Sequence, residues 1–480
     1  MSILVVDVGT SSVRAVLVRP DGSVDLARRR PLPPDVPAAG LVEFDPAAMA
    51  EAALDVAAEV AAAAGGGVDA VGVTAQRASA VAWDAKSGRP VGPGLGWQDL
   101  RTVGTCLELQ AEGFRFSPSE SATKYAWLAS QLDDHDAHLK LGTVDSWIAW
   151  NLTGGAEHIT DATNAAVTGL YDPASGGWRA DALAALRLRE ESLPRIVDST
   201  GALAVATALP GTPPLCSLVG DQQASLVGQG CTRRGLAKAT FGTGGMLDVC
   251  LGSSPPASGR TPRGCFPIVA WRRAGTVTWG SEALMLTAGS AVDWLVSDLG
   301  LLPDAAASEA VAAGCDDTGG VVMVPALLGL GTPQWDFGAR GAVFGLTRGT
   351  TSAHLVRAVL EGVAHSGADL LEAVEADNDL TVPTLRVDGG MSANAVFVQA
   401  LADACDRPIE VSPELEATAL GAGYLAGLAT GAWASTEEIA EAWSPKRVVE
   451  PSGRDPGRQR WKAAVEHAGQ WYPELSAISF

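Results

Sequence analysis

The sequence predicts an α/β fold made of two similar domains that face each other across a cleft. Three observations carry this prediction. The chain has 480 residues, more than one hydrophobic core organises well, so two domains are the natural expectation. A strand–turn–strand pattern over residues 3–18 is echoed by another over 235–249, each with a turn of Gly and Thr or Ser. Short apolar runs alternating with helical patterns then follow to the end of the chain, as in layered α/β proteins.

Composition narrows the class. Apolar residues make up 47% and charged residues 19%, which is globular and excludes a disordered chain. The longest Ala-rich run, 51–64, is broken by Glu51, Asp55 and Glu59 at helical spacing, so no membrane span is expected. The opening Met1–Val6 has neither a basic n-region nor a cleavage site. Seven Cys lie far apart with no CxxC pair, which points to reduced thiols in a cytoplasm and away from zinc or disulfides. The net charge of −21 would repel nucleic acid and anionic membranes. Any phosphate site must therefore be local, built from backbone N–H groups, a few basic side chains and a metal.

The elements follow in order. Ile3–Val8 reads as a strand with Asp7 near its end, and Gly9-Thr10-Ser11-Ser12 as the turn into a second strand ending before Asp21-Gly22. This turn is either a phosphate loop with an acid beside it or a plain hairpin. Residues 47–64 read as an amphipathic helix. Residues 69–74 read as a buried strand leading to Gln76-Arg77, and Trp97-Gln98-Asp99 follows another short strand. Polar residues at strand ends are where a small polar ligand is met, so Arg77, Trp97 and Asp99 form a candidate pocket. Residues 119–132 and 142–150 read as helices, and 172–178 and 208–214 as Gly/Pro-rich connections.

The stretch Leu218-Val219-Gly220-Asp221 is an apolar run stopped by Gly and followed at once by an acid. That pattern delivers Asp221 to the mouth of a sheet, although a turn or cap Asp has the same local sequence. About twenty residues later comes Phe241-Gly242-Thr243-Gly244-Gly245, whose small residues let backbone N–H groups cradle an anion. An acid beside such a loop suits phosphoryl transfer to a hydroxyl. Residues 286–295 begin a helix with small residues around Gly289. Residues 341–361 turn into an amphipathic helix. Leu385–Asn394 reads as strand, Gly389-Gly390 turn and helix start, where a nucleotide could lie against the backbone. Residues 417–427 read as a close-packing helix of small residues.

Three phosphate-type turns in order (7–12, 242–245, 388–394), with an acid at 221, resemble the actin/sugar-kinase ATPase architecture of two ribonuclease H-like domains. Ser119-x-Ser121-x-x-Lys124-Tyr125-x-Trp127-Leu128 nearly matches the first signature of the FGGY carbohydrate kinases. Gly341-x-Val343-x-Gly345-Leu346, then His354-Leu355-x-x-Ala358-Val359-Leu360-Glu361, matches the second. Within that family the chain is most similar to glycerol kinases, through Gly220–Ala224, Ala237–Gly244 and Trp335-Asp336-x-x-Ala339-Arg340-Gly341. The resemblance implies residues 1–230 as the acceptor-binding domain and 231–480 as the nucleotide-binding domain. It implies Asp221 as catalytic base, Asp7 with Asp221 on the side of a Mg²⁺ ion, and Thr10, Ser11 and Arg14 at the terminal phosphates of ATP. Gly242, Thr243 and Gly244 would hold the β/γ-phosphates, and Gly289, Asp293, Gly390 and Asn394 would border the adenosine. Arg77, Trp97, Asp221 and Gln222 would line the acceptor site. A homodimer or homotetramer is also implied.

The departures from the glycerol-kinase pattern concern the acceptor. A Glu that grips two acceptor hydroxyls is replaced by Ala78, and aromatic residues are replaced by Ser119 and Met246. Stranding those hydroxyls costs roughly 1.5–3 kcal/mol for one lost charge-assisted bond. A larger polyol or ketopentose is therefore expected, with Asp99 or Glu120 supplying the missing oxygen. Three alternatives are a glycerol kinase proper, a non-catalytic sugar or nucleotide sensor, and an actin- or chaperone-like ATPase. The last two are disfavoured by the intact Asp7, Asp221 and Gly242–Gly244 and by the acceptor-side signature at 119–128.

Overall fold

The computed structural model describes residues 1–65, 67–132, 138–257, 259–413 and 416–479. Among them one thirteen-stranded sheet runs through the molecule. Its strands, in chain order, are β1 (Ile3–Val8), β2 (Ser12–Val18), β3 (Val24–Pro31), β4 (Ala70–Ala75), β5 (Thr200–Val205), β6 (Pro214–Gly220), β7 (Ala237–Phe241), β8 (Gly245–Gly252), β9 (Phe266–Arg273), β10 (Thr276–Met285), β11 (Leu385–Asp388), β12 (Ile409–Val411) and β13 (Arg447–Val449). They lie side by side as β13-β12-β11-β7-β8-β10-β9-β5-β6-β4-β1-β2-β3.

The expected repetition is present in this order. In the first half the hairpin β1–β2 is extended by antiparallel β3, and β4 and β6 add in parallel on the other side of β1. In the second half the hairpin β7–β8 is extended by the hairpin β9–β10, and β11 and β12 add in parallel beside β7. Within the sheet the halves join where Thr200 of β5 pairs with Arg273 of β9. β1 and β4 are buried along their whole length, which is why they read as unbroken apolar runs rather than alternating ones.

The helices follow their start and stop signals. α1 (Pro46–Ala63) begins with Pro after Asp45, whose side chain accepts from the N–H groups of Ala47 and Ala48. It buries Met49, Ala53, Val56 and Val60 on one face. α2 (Ala122–Ser130) is shorter than the 119–132 expected. Residues 139–142 form a strand against Val81–Asp84, and the helix expected at 142 starts at Val144. The 172–178 connection carries a small hairpin, Tyr171–Asp172 with Gly177–Trp178. α3 (Asp221–Gly228), α4 (Gly289–Ser297), α5 (Ser352–Asn378), α6 (Ala395–Cys405) and α7 (Ala417–Thr430) complete the set needed here.

α3 and α7 set the position of the candidate base. They approach so closely that a Cβ on Gly421 would strike the Ala224 carbonyl, and one on Gly228 the Ala417 carbonyl. The small-residue run at 417–427 therefore has the supporting role expected of it. All seven cysteines are free thiols. No helix among the described residues is long and apolar enough to cross a membrane.

Candidate active site

The site forms where parallel strands end, at the edge on which open α/β sheets bind ligands. β6 ends at Gly220, and Asp221 is the first residue of α3. Asp221 Oδ1 accepts the Gln222 N–H at 2.8 Å and lies 3.3 Å from Arg77 Nε. The side chain keeps 31% of its surface exposed, enough to meet a substrate. Withdrawal from water raises its carboxyl above the usual range; Arg77 opposes the rise and Asp7 adds to it. A carboxylate with raised basicity and partial exposure at a strand end is suited to accept a proton.

Asp7, at the end of β1, stands directly opposite Arg14 on β2. Arg14 Nε donates to Asp7 Oδ2 at 2.7 Å, and the same guanidinium pairs with Glu416. The Gly9–Ser12 turn is closed by Gly9 N donating to the Ser12 carbonyl at 3.0 Å. Thr10 Oγ1 accepts from Trp97 Nε1 at 3.3 Å, so the turn touches the wall expected to face the acceptor. Ser11 is the exposed residue of the same turn.

Arg77 follows β4 and is 10% exposed. Its Nη1 is buried with no hydrogen-bond partner, and its Nη2 lies 3.8 Å from Met246 Sδ. Ala78 adopts a left-handed backbone, φ 59°, unusual for a residue with a Cβ. The carbonyls of Ala78, Trp97, Ser119 and Glu120 all accept from Lys124 Nζ, at 3.2 to 3.4 Å. One lysine nitrogen thus ties together three segments that the sequence offered as pocket wall.

Asp99 does not join them. It is fully buried, and its oxygens take the Arg101 side chain (2.8 Å) and the Val42 N–H (2.7 Å). The Asp99-x-Arg101 spacing makes this a local pair, so Asp99 is not the free acceptor the sequence suggested. Glu120 is also engaged, accepting the Ser117 N–H at 2.9 Å, and burial pushes its carboxyl up to about 7.

Three charged residues escaped the sequence reading: Lys238 on β7, Asp248 on β8 and Glu282 on β10. They are direct cross-strand partners in register. Lys238 and Asp248 are fully buried and paired at 2.8 Å. Lys238 Nζ also donates to Gln222 Oε1 at 2.6 Å, and Arg77 Nη2 donates to Glu282 Oε2 at 2.7 Å. The available signal was a lone charge inside an apolar strand run, since Lys, Asp and Glu are almost never fully buried without a partner.

The glycine turns come together on the second half. The Gly289 N–H, at the start of α4, donates to the Gly242 carbonyl (2.8 Å), and Ser290 Oγ donates to the Thr243 carbonyl (3.0 Å). A Cβ at Gly244 would lie 2.8 Å from the Met285 carbonyl oxygen. Gly389 has φ +85° and backs onto Phe241, while the Cβ position of Gly390 faces open space. Asp388 Oδ1 is buried without a hydrogen-bond partner. Asn394 caps α6, accepting the Phe397 N–H at 3.0 Å and donating to Ser308 Oγ at 3.0 Å. Asp293 is exposed on α4. Side-chain-free backbone at Gly242, Gly244 and Gly390 fits a phosphate chain and a flat base. Among the described residues no three His, Cys, Asp or Glu gather to hold a bare metal ion. Asp7 and Asp221 instead provide two carboxylates, a donor set that fits a cation taking its other ligands from phosphates and water.

Known proteins share this architecture. Models of the FGGY family of carbohydrate kinases match residues 2–228 with the N-terminal domain and 237–430 with the C-terminal domain. A glycerol kinase of Gloeobacter violaceus is 39% identical, covering 98% of this chain and 97% of its own. The crystal structure of Plasmodium falciparum glycerol kinase with ADP matches with a TM-score of 0.89 at 26% identity, over 100% of this chain and 99% of that one. A xylulose kinase from Brucella ovis matches at 0.87 and 26% identity, over 100% of both chains. The fold is the two-domain, ribonuclease H-like one expected.

Proposed function

The chain belongs to the FGGY family of carbohydrate kinases, and we propose that it transfers the γ-phosphoryl group of ATP to a primary hydroxyl of a small, neutral polyol or ketose larger than glycerol. The single observation that carries this is Arg77, which meets Asp221 on one side and Met246, on the strand that leaves the Gly242–Gly244 turn, on the other. Residues 1–230 bind the acceptor and 231–480 the nucleotide.

Asp221 accepts the hydroxyl proton as the oxygen attacks the γ-phosphorus in line and ADP leaves. Its raised basicity supports that role. The backbone of Gly242, Thr243 and Gly244 offers N–H groups to the β/γ-phosphates, with Thr10, Ser11 and Arg14 on the facing turn. Gly289, Asp293, Gly390 and Asn394 border the adenosine, Asn394 chiefly by shaping the helix start. Mg²⁺, held beside Asp7 and Asp221, would neutralise phosphate charge. Arg77, Ala78, Trp97, Ser119, Gln222 and Met246 line the acceptor.

Two features of the pocket bear on the acceptor. Arg77 lies between the Asp221 and Glu282 carboxylates, so it offers a donor but little net positive charge. A neutral acceptor suits it better than a sugar acid. Ala78 brings no carboxylate, and Ser119 and Met246 widen the wall. Glycerol itself is the second reading, favoured by the name of the 39% identical relative.

Asp221→Asn tests the assignment of the base. The variant should bind ATP and acceptor like the wild type while kcat falls by about 10²–10⁴. A variant within a few-fold of the wild-type rate would contradict it.

A further inference from the structure

The buried row Lys238–Asp248–Glu282 belongs to the second half, yet both of its ends grip side chains of the first. β7, β8 and β10 are adjacent, and the three residues stand directly opposite one another on them. At one end Glu282 Oε2 receives Arg77 Nη2 at 2.7 Å. At the other, Lys238 donates to Gln222 Oε1 at 2.6 Å. Arg77 and Gln222 are the two polar side chains that flank Asp221, and Arg77 also touches it. A fully buried Lys–Asp pair is costly to desolvate, and a hydrophobic pair of the same volume is often as stable or more so. Stability alone therefore does not explain this row.

Arg77 shows what the row positions. Its Nε faces Asp221 and its Nη2 is fixed by Glu282, while Nη1 is buried with nothing to donate to. An arginine locked on two edges and unsatisfied on the third is preset for an oxygen that the protein does not supply. The guanidinium fork has a fixed geometry, so fixing two edges fixes the third.

We propose that Glu282 and Lys238 are positioning residues for the acceptor: through Arg77 and Gln222 the row aims the hydrogen-bonding groups around Asp221 from the nucleotide-side sheet. This rests on the reading of Arg77 and Gln222 as acceptor-facing. Neither contact includes a residue placed at the nucleotide.

The test is a double-mutant cycle of Glu282→Gln and Arg77→Lys, read in acceptor kinetics and in thermal unfolding. Losing the charge-assisted contact at Arg77 should raise the acceptor KM of Glu282→Gln by about ten- to a hundred-fold. The KM for ATP at saturating acceptor, and ADP binding without acceptor, should stay within about two-fold. The double variant should lose little more acceptor kcat/KM than the worse single one, because the two residues act as a unit. Glu282→Asp should recover part of the loss. If Glu282→Gln does not fold, Asp248→Asn breaks the row one residue away and should shift the same KM. Additive kinetic losses, or coupling seen in stability alone, would overturn the proposal, as would an unchanged acceptor KM in a folded variant. A wild type that turns over an acceptor while Glu282→Gln matches it sinks this proposal and leaves the kinase reading intact. A wild type inert toward every acceptor sinks that reading, and this one with it.

Discussion

At residue 78 the chain has a methyl group in a left-handed turn, beside an arginine already clasped by two carboxylates. Restoring a carboxylate there tests the acceptor preference directly. Ala78→Glu should shift the ratio of kcat/KM for glycerol over the larger acceptor by about ten- to a hundred-fold toward glycerol, which is roughly 1.5–3 kcal/mol. Steady-state assays on both acceptors check it, and an unchanged ratio would mean that residue 78 does not face the acceptor. At this scale the sequence was legible where a local pattern forces a position. Asp221 follows a strand stopped by Gly, and it stands at the sheet edge as read. Asp99 was misread, because the Arg two residues on takes its oxygens. Lys238, Asp248 and Glu282 were not legible together, since only strand register brings them into one row.

Between elements, two contacts decide the site's shape. Lys124 on α2 donates to carbonyls in three separate segments. Replacing it with Met leaves those part-buried carbonyls without this donor, at up to about 1–3 kcal/mol for each group that water does not reach. Lys124→Met should lower the melting temperature and raise the acceptor KM at least about ten-fold, with ADP affinity unchanged by calorimetry. Equal losses in acceptor and nucleotide binding would point to general unfolding instead. The second contact is the close crossing of α3 and α7. Gly→Ala in a helix interior ordinarily stabilises by about 0.5–1 kcal/mol. At Gly421 the new methyl would meet the Ala224 carbonyl, and overpacking costs about 1–3 kcal/mol. Gly421→Ala should therefore melt lower than the wild type; a higher melting point would show that the crossing yields easily. The run of small residues at 417–427 announced close packing. That its partner is the helix bearing Asp221 depended on tertiary topology, which periodicity does not encode.

For the whole molecule, the repeated strand order explains why two turns of similar composition, at 9–12 and 242–245, each close the leading hairpin of their half. The repeat was readable because each half restarts with the same strand–turn–strand. The join between halves at Thr200 and Arg273 was not, since a single backbone pairing leaves no sequence trace. Global stability carries a pH signature from Asp145. Burial pushes its carboxyl up to about 7 from an ordinary 3.8; the Asp161 carboxylate adds to this, while hydroxyls of Thr143 and Thr160 oppose it. The folded state thus prefers the neutral acid. Its contribution is complete below about pH 4 and is lost as pH rises to about 7. Asp145→Asn should flatten the wild-type fall in melting temperature across that window, and an identical slope would remove Asp145 as the cause. Whether the kinase takes a neutral polyol or ketose larger than glycerol is decided by ADP release from Mg-ATP across glycerol, erythritol, the pentitols, xylulose, ribulose, gluconate and no acceptor. The highest kcat/KM is expected on a neutral member other than glycerol, with little release on gluconate or without acceptor. Glycerol as the best substrate, or release that ignores the acceptor, would contradict it.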